Sequence, residues 1–228
     1  MNDLIQARNN VLTLIQQACA VSSRNMDQVQ LLAVSKTQPS ERLKALYQAG
    51  QRAFGENYLQ EALDKIAALS ELEIEWHFIG HVQRNKTKPL AENFAWVHGV
   101  DRLLIAERLS NQRPAEQLPL NICLQVNIDA QASKDGCHPS EVAELVKQIS
   151  QLPHLKLRGL MVIPAPNQPQ AFHDAKHLFD AVKVQHAHPE DWDTLSMGMS
   201  ADLDQAISAG STIVRVGTAL FGVRDYTK

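Results

Sequence analysis

Short apolar runs alternate along this chain with longer stretches in which apolar residues recur every three or four positions. Residues 2 to about 22 place Leu4, Val11, Leu14, Ile15 and Ala18 on one helical face, predicting an amphipathic helix ahead of the first strand. Leu31-Leu32-Ala33-Val34, leading through Ser35 to Lys36 and Thr37 and closed by Gln38-Pro39-Ser40, reads as a buried strand feeding a helix whose N-cap is Ser40. Leu43, Leu46 and Tyr47 carry that helix to a stop at Gly50. Arg52 to Asn57 is a second strand, and Leu59, Ala62, Leu63 and Ile66 are the stripe of a helix from Tyr58 to about Ser70.

The same alternation continues to the end. Strands are predicted at Ile74–Gly80, Trp96–Val100, Leu120–Ile128, Leu155–Ile163, Thr194–Gly198 and Thr212–Gly217. Between them lie helices over 83–93, from Asp101 through Leu109, over 139–151, along the stripe Phe172, Ala175, Leu178, Phe179 and Val182, and from Ser200 to Ala209, stopped by Gly210. Eight strands with helical crossovers and no hairpin signal suit a closed (β/α)8 TIM barrel better than an open doubly wound sheet. With 228 residues, 44% of them hydrophobic, and no linker, residues 1–228 read as a single barrel domain with an extra N-terminal helix.

Composition then narrows the partners. A net charge of −3 with the two signs interspersed offers no field for nucleic acid or an anionic membrane, so a small molecule is the expected partner. Cys19, Cys123 and Cys137 are odd in number and lack C-x-x-C spacing, against both a disulfide framework and a zinc site. Asp3 and Arg8 interrupt the first apolar pattern, and no apolar run reaches membrane length. The expectation is a cytoplasmic protein.

In such a barrel, ligands bind where the strands end. Those ends are Lys36, Asn57, Gly80, Val100, Asn127, Ile163, Gly198 and Gly217. Lys36 is then either a solvated cation or an amine aimed into a site. Barrels commonly hold phosphate at the loops after the seventh and eighth strands. Here those loops carry glycines that let backbone amides approach an oxyanion, with Ser200 and Thr218 adding hydroxyl donors. Gly198 and Gly217 as plain turn residues, with Ser200 as an N-cap, is the competing reading.

Other motifs fail. Gly198 to Asp202 lacks the second glycine of a nucleophile elbow, and Gly217 to Gly222 is followed by Val223-Arg224 where a P-loop needs Lys-Ser/Thr. His173 and His177 share a helix face without the glutamate of H-E-x-x-H. His77 suits a core role as well as a ligand contact.

Taken together, A-V-S-K-T at 33–37, F-G-E-N at 54–57, W-H-F-I-G at 76–80, Q-x-N-K at 83–86, S-M-G-M-S-x-D at 196–202 and R-x-G-T-A-L-F-G at 215–222 resemble the YggS/PROSC family of pyridoxal phosphate homeostasis proteins. The resemblance implies a barrel like the N-terminal domain of alanine racemase, with pyridoxal 5′-phosphate as a Schiff base on Lys36. It also implies that Arg215 faces the pyridine nitrogen while Gly217, Thr218 and Ser200 hold the phosphate. Asn57, at the second strand end, joins them as a cofactor-binding candidate.

An arginine facing the pyridine nitrogen can only donate, which leaves that nitrogen unprotonated and the ring a weaker electron sink. Carbanion chemistry would need a second acid or base, and the chain offers only Tyr47, Tyr58 and Tyr226 as phenols. A monomeric carrier that holds the cofactor, and passes it to pyridoxal-dependent apoenzymes, is therefore expected ahead of an amino-acid racemase. A cofactor-free lysine aldolase would leave both phosphate loops unexplained.

Overall fold

The computed structural model describes residues 2–131 and 134–222; Val223, Arg224 and Tyr226 lie outside them. Eight strands, β1 (Gln30–Val34), β2 (Ala53–Glu56), β3 (Glu75–Phe78), β4 (Trp96–Val100), β5 (Leu120–Val126), β6 (Leu155–Val162), β7 (Thr194–Ser196) and β8 (Ile213–Val216), close in sequence order into a parallel barrel. The seam is β1 on β8, with Leu32 opposite Arg215 and Ala33 opposite Val216. Parallel neighbours need a crossover, and the helices supply it. They are α1 (Asn2–Val21), α2 (Ser40–Gln48), α3 (Leu59–Ala68), α4 (Thr87–Asn93), α5 (Leu103–Gln112), α6 (Val142–Ile149), α7 (Gln170–Val182), α8 (Leu203–Ser208) and the short α9 (Thr218–Phe221). The additional helix α1 lies against α2, α8 and α9.

Strand alternation sorts the side chains into two layers. Leu31 and Ala33 join the large core between strands and helices. Inside the barrel the apolar residues form two small separate groups, Leu32, Ala53 and Ile213 with Ile79, and Trp96, Cys123 and Met161. Barrel interiors are usually filled by layers of branched aliphatics. Here the buried His77, His98, Ser196 and Arg215 take part of that space.

Several helix limits differ from the sequence expectation. Ser40 opens α2 but does not cap it: Pro39, at φ −71° and ψ 153°, holds the extended cap position and its carbonyl accepts from Arg42 N–H. The helix expected over 83–93 is a 3₁₀ turn, Arg84–Lys86, followed by α4, because Pro89 has no N–H to continue a ladder back to residue 85. The helix expected from 139 likewise starts as a 3₁₀ turn, Pro139–Glu141, under a His138–Glu141 capping box, before α6. The Ser200 helix starts only at Leu203. No helix among the described residues is long and apolar enough to cross a membrane.

Candidate functional site

Lys36 follows β1 in a tight turn closed by Gln38 N–H on Ser35 C=O at 3.0 Å. The next residue, Thr37, sits at φ 65°, a left-handed conformation that disfavours a β-branched side chain and costs on the order of 1–3 kcal/mol. The turn is therefore held by something stronger. Lys65 of α3, buried although it belongs to a helix, donates from Nζ to Ser35 C=O at 2.8 Å, Glu56 Oε1 at 2.8 Å and Glu61 Oε1 at 2.5 Å. Glu61 Oε1 accepts from Thr37 N–H at 2.5 Å, and Glu56 Oε1 from Ser35 Oγ at 2.6 Å. Both neighbours of the half-buried Lys36 are thus pinned to one ionic cluster behind the strand.

Sequence reasoning missed this clamp. The sequence stripe for α3 named Leu63 and Ile66, which are half-buried, and left out Lys65, which is buried. A Glu–Lys pair four apart on a helix reads as a solvated surface pair. The available signal was Glu56 itself, a carboxylate in the strand run Ala53-Phe54-Gly55-Glu56 that needs a cationic partner when buried.

The structure brings the two loops after β7 and β8 together, Ala219 N–H reaching Ser200 Oγ at 3.4 Å. Ser200 is exposed and is not a helix cap; α8 is preceded by Asp202, whose Oδ1 accepts from Met199 N–H at 2.5 Å. The N–H groups of Gly217 and Thr218 find no acceptor among the described residues. The two glycines differ in kind. Gly198 is at φ 90° and a Cβ there would lie 2.4 Å from Ala206 Cβ, so the fold alone demands it. Gly217 has an ordinary negative φ, and a Cβ would make only van der Waals contacts with Val34. Packing does not require that glycine, and the space it leaves borders the mouth.

Arg215 is 5% exposed. Its Nη1 donates to Ser196 Oγ and its Nη2 to Val162 C=O, both at 2.9 Å, while Nε–H has no acceptor among the described residues. Burial pushes its pKa down to about 10, and it remains a cation at neutral pH. Asn57, at the end of β2, carries a buried Oδ1 without a donor among the described residues. It lines an open cavity of about 460 Å³ with Tyr58, Gly80, His81 and Lys86.

Other candidates fall elsewhere. Asn127 spends its amide on its own loop, with Nδ2 donating to Gln131 C=O at 2.7 Å and Oδ1 accepting from Gln131 N–H at 3.1 Å. His77 is a core residue inside the barrel, bonded to His98 and Glu75. His173 and His177 are exposed on α7, and no cluster able to hold a metal ion occurs among the described residues. Tyr47 accepts from Glu73 N–H through its hydroxyl at 3.3 Å, before β3 and away from the strand ends.

The strand ends thus carry an amine, two adjoining loops with N–H and O–H donors, and a buried cationic donor. Known proteins share both the sequence and the fold. Residues 8–225 match the family model described as alanine racemase, N-terminal domain. The chain is 50% identical to the pyridoxal phosphate homeostasis protein of Pseudomonas aeruginosa, over 99% of this chain and 98% of the relative, and 47% identical to that of Escherichia coli K12 over the whole of both. Among solved structures it is similar to PipY of Synechococcus elongatus with PLP bound, at 36% identity and TM-score 0.79 over 91% of this chain and 99% of the other. Alanine racemase from Corynebacterium glutamicum, 13% identical, has the same fold at TM-score 0.72 over all of this chain and 62% of its own.

Proposed function

The chain belongs to the family of pyridoxal phosphate homeostasis proteins, and from that premise we propose that its barrel mouth binds pyridoxal 5′-phosphate as a Schiff base on Lys36, to hold and hand on the cofactor without robust catalysis. The residues present fit that group. Arg215 is a buried cation with no carboxylate in hydrogen-bond contact, Asn57 Oδ1 is a buried acceptor without a donor, and the Gly217 and Thr218 amides are open donors among the described residues. The buried Asn57 oxygen costs about 1–3 kcal/mol while unsatisfied. A phosphorylated pyridine satisfies donors and cation at once.

When bound, the cofactor supplies an aldehyde for an amine and a ring that withdraws electrons. This chain supplies the rest. Lys36 presents its amine from a clamped turn, while Ser200, Gly217 and Thr218 offer O–H and N–H donors to the phosphate. Arg215 carries the functional conclusion. One N–H of each Nη is held by a protein acceptor and the residue stays protonated, so towards a ring nitrogen it is a donor only and leaves that nitrogen without a proton. A weaker electron sink favours retention over turnover. The one described phenol lining the cavity beside the mouth is Tyr58, 56% exposed.

The carrier acts as a monomer in the cytoplasm, with pyridoxal-dependent apoenzymes as recipients and no nucleic-acid or membrane partner. The purified protein should absorb in the visible with pyridoxal phosphate, and borohydride should fix the cofactor on Lys36 but leave Lys36→Ala unlabelled. Reduced cofactor on another lysine would overturn the assignment. The racemase fold supports a rival reading, an amino-acid racemase. Deuterium exchange at the α-carbon of candidate amino acids separates the two, since a carrier drives none.

A further inference from the structure

A file of polar side chains runs through the barrel from its N-terminal face to the arginine at the mouth. Glu75 Oε1 is 2.7 Å from His77 Nε2, His77 Nδ1 is 2.9 Å from His98 Nε2, and His98 Nδ1 is 3.0 Å from Ser196 Oγ. Arg215 Nη1 meets that same Ser196 oxygen at 2.9 Å. His77, His98 and Ser196 are wholly buried, whereas the side chain of Glu75, at the start of β3, is 40% exposed. Trp96 stacks on His77 with the rings 5° from parallel, and Gln30 Nε2 donates to Glu75 Oε1 at 3.0 Å, so both ends of the first link are fixed.

The chemistry of the two ends sets the direction of every link between them. A guanidinium only donates, and an ionised carboxylate only accepts. A neutral imidazole has one N–H and one bare nitrogen, and a serine has one O–H. Arg215 Nη1–H therefore donates to Ser196 Oγ, Ser196 O–H to His98 Nδ1, His98 Nε2–H to His77 Nδ1, and His77 Nε2–H to Glu75. Both histidines are neutral Nε2–H tautomers. Reversing any link needs an additional proton on the buried pair, which desolvation opposes: both imidazoles sit below their ordinary pKa, and Glu75 is held at about 2, first by its hydrogen bond from His77.

We propose that Glu75, His77, His98 and Ser196 are positioning residues for Arg215, a one-way hydrogen-bond file that fixes the guanidinium so that a change at the far end of the barrel is felt by the ligand at its mouth. Ser196 Oγ and Val162 C=O each hold one N–H of an Nη group, which orients the guanidinium and leaves Nε–H and the second N–H of each Nη as donors. Aligned links polarise one another, and the file ends on the Glu75 carboxylate. This inference rests on pyridoxal phosphate occupying the mouth.

Two measurements test it, one of which needs no cofactor. Nitrogen-15 spectra of histidine-labelled protein at neutral pH should show His77 and His98 as Nε2–H tautomers, assigned by single replacement; an Nδ1–H or doubly protonated ring at either position overturns the direction. The second compares the parent with Glu75→Gln, Glu75→Leu and, as a control, Val146→Ala in the outer core. Glu75→Leu should shift the absorption band of bound pyridoxal phosphate and speed its release roughly tenfold, as expected for loss of about 1.4 kcal/mol from one charge-assisted donor. Glu75→Gln, which keeps an acceptor, should do less, and Val146→Ala should lower the melting temperature without moving the band. If both Glu75 variants keep the parental band and release rate, the positioning role is wrong. If the parent binds no pyridoxal phosphate, the mouth assignment fails instead, and the tautomer spectrum still reads the file.

Discussion

Lys65→Met tests the clamp behind Lys36 most directly. Methionine preserves the length and apolar stem of the side chain but removes the ammonium that bonds Ser35 C=O, Glu56 and Glu61. Glu56 is fully buried and its Oε2 has no partner among the described residues, so deleting the cation leaves an uncompensated carboxylate. Breaking a buried pair in this way costs about 3–5 kcal/mol. At roughly 2–4 °C per kcal/mol for a chain of this size, the melting temperature should fall by about 6–20 °C. The loss also has a pH signature. Burial already raises the Glu56 pKa while Lys65 chiefly opposes that rise; without Lys65 the folded-state pKa climbs further above its unfolded value. Between those two values the folded protein binds more protons than the unfolded one, so the variant loses stability as pH rises through the window. Urea unfolding of parent and variant at pH 5.5 and pH 8 should therefore give a larger gap at pH 8. Lys65→Met/Glu56→Gln should recover much of it, because the orphaned charge is gone. A cost under about 1 kcal/mol that is the same at both pH values would refute the clamp as the main support of the turn. Since Ser35 C=O loses its donor and Glu61, which holds Thr37 N–H, loses its cation, the variant should also bind pyridoxal phosphate more weakly even where it is folded.

Two further predictions follow from the site and the barrel interior. Ser200→Ala should weaken cofactor binding by roughly ten- to a hundredfold, the loss of one charge-assisted donor, and Thr218→Pro, which removes a backbone N–H as well as the hydroxyl, by at least as much, with circular dichroism confirming the fold of the proline variant; unchanged release rates in both would move the phosphate away from these loops. Because burial holds the His77 and His98 pKa values below 6.5, the unfolded chain takes up protons that the folded one does not. The stability that the two histidines contribute is then complete above about pH 6.5 and falls below it by up to about 1.4 kcal/mol per pH unit for each, opposed in sign by Glu56, whose folded pKa burial raises. Buried His186 shares the direction, and Glu75, at about 2 against 4.5, adds a loss of the same sign between those two values. A pH dependence of the denaturation midpoint between 7 and 5 that is the same in His98→Gln as in the parent would contradict neutral buried imidazoles.

Local patterns carried much of this protein in one dimension. Eight apolar runs spaced by helical stripes determined a parallel barrel, since period and length distinguish strand from crossover before any contact is known. The same spacing placed Lys36, Asn57 and the Ser200 and Thr218 loops at strand ends, because in a closed parallel barrel all the C-terminal ends share one mouth. Tertiary structure alone decided what stands behind them. Lys65 looks like one half of a surface i,i+4 pair, and only the docking of α3 against the β1 turn desolvates it and turns it into the clamp. His77, His98, Ser196 and Arg215 lie on four different strands, and their order as a file depends on how closure rotates each strand's inward face. Sequence alternation specifies a face, whereas a hydrogen bond needs two atoms placed within a few tenths of an ångström, and that placement belongs to the packed barrel.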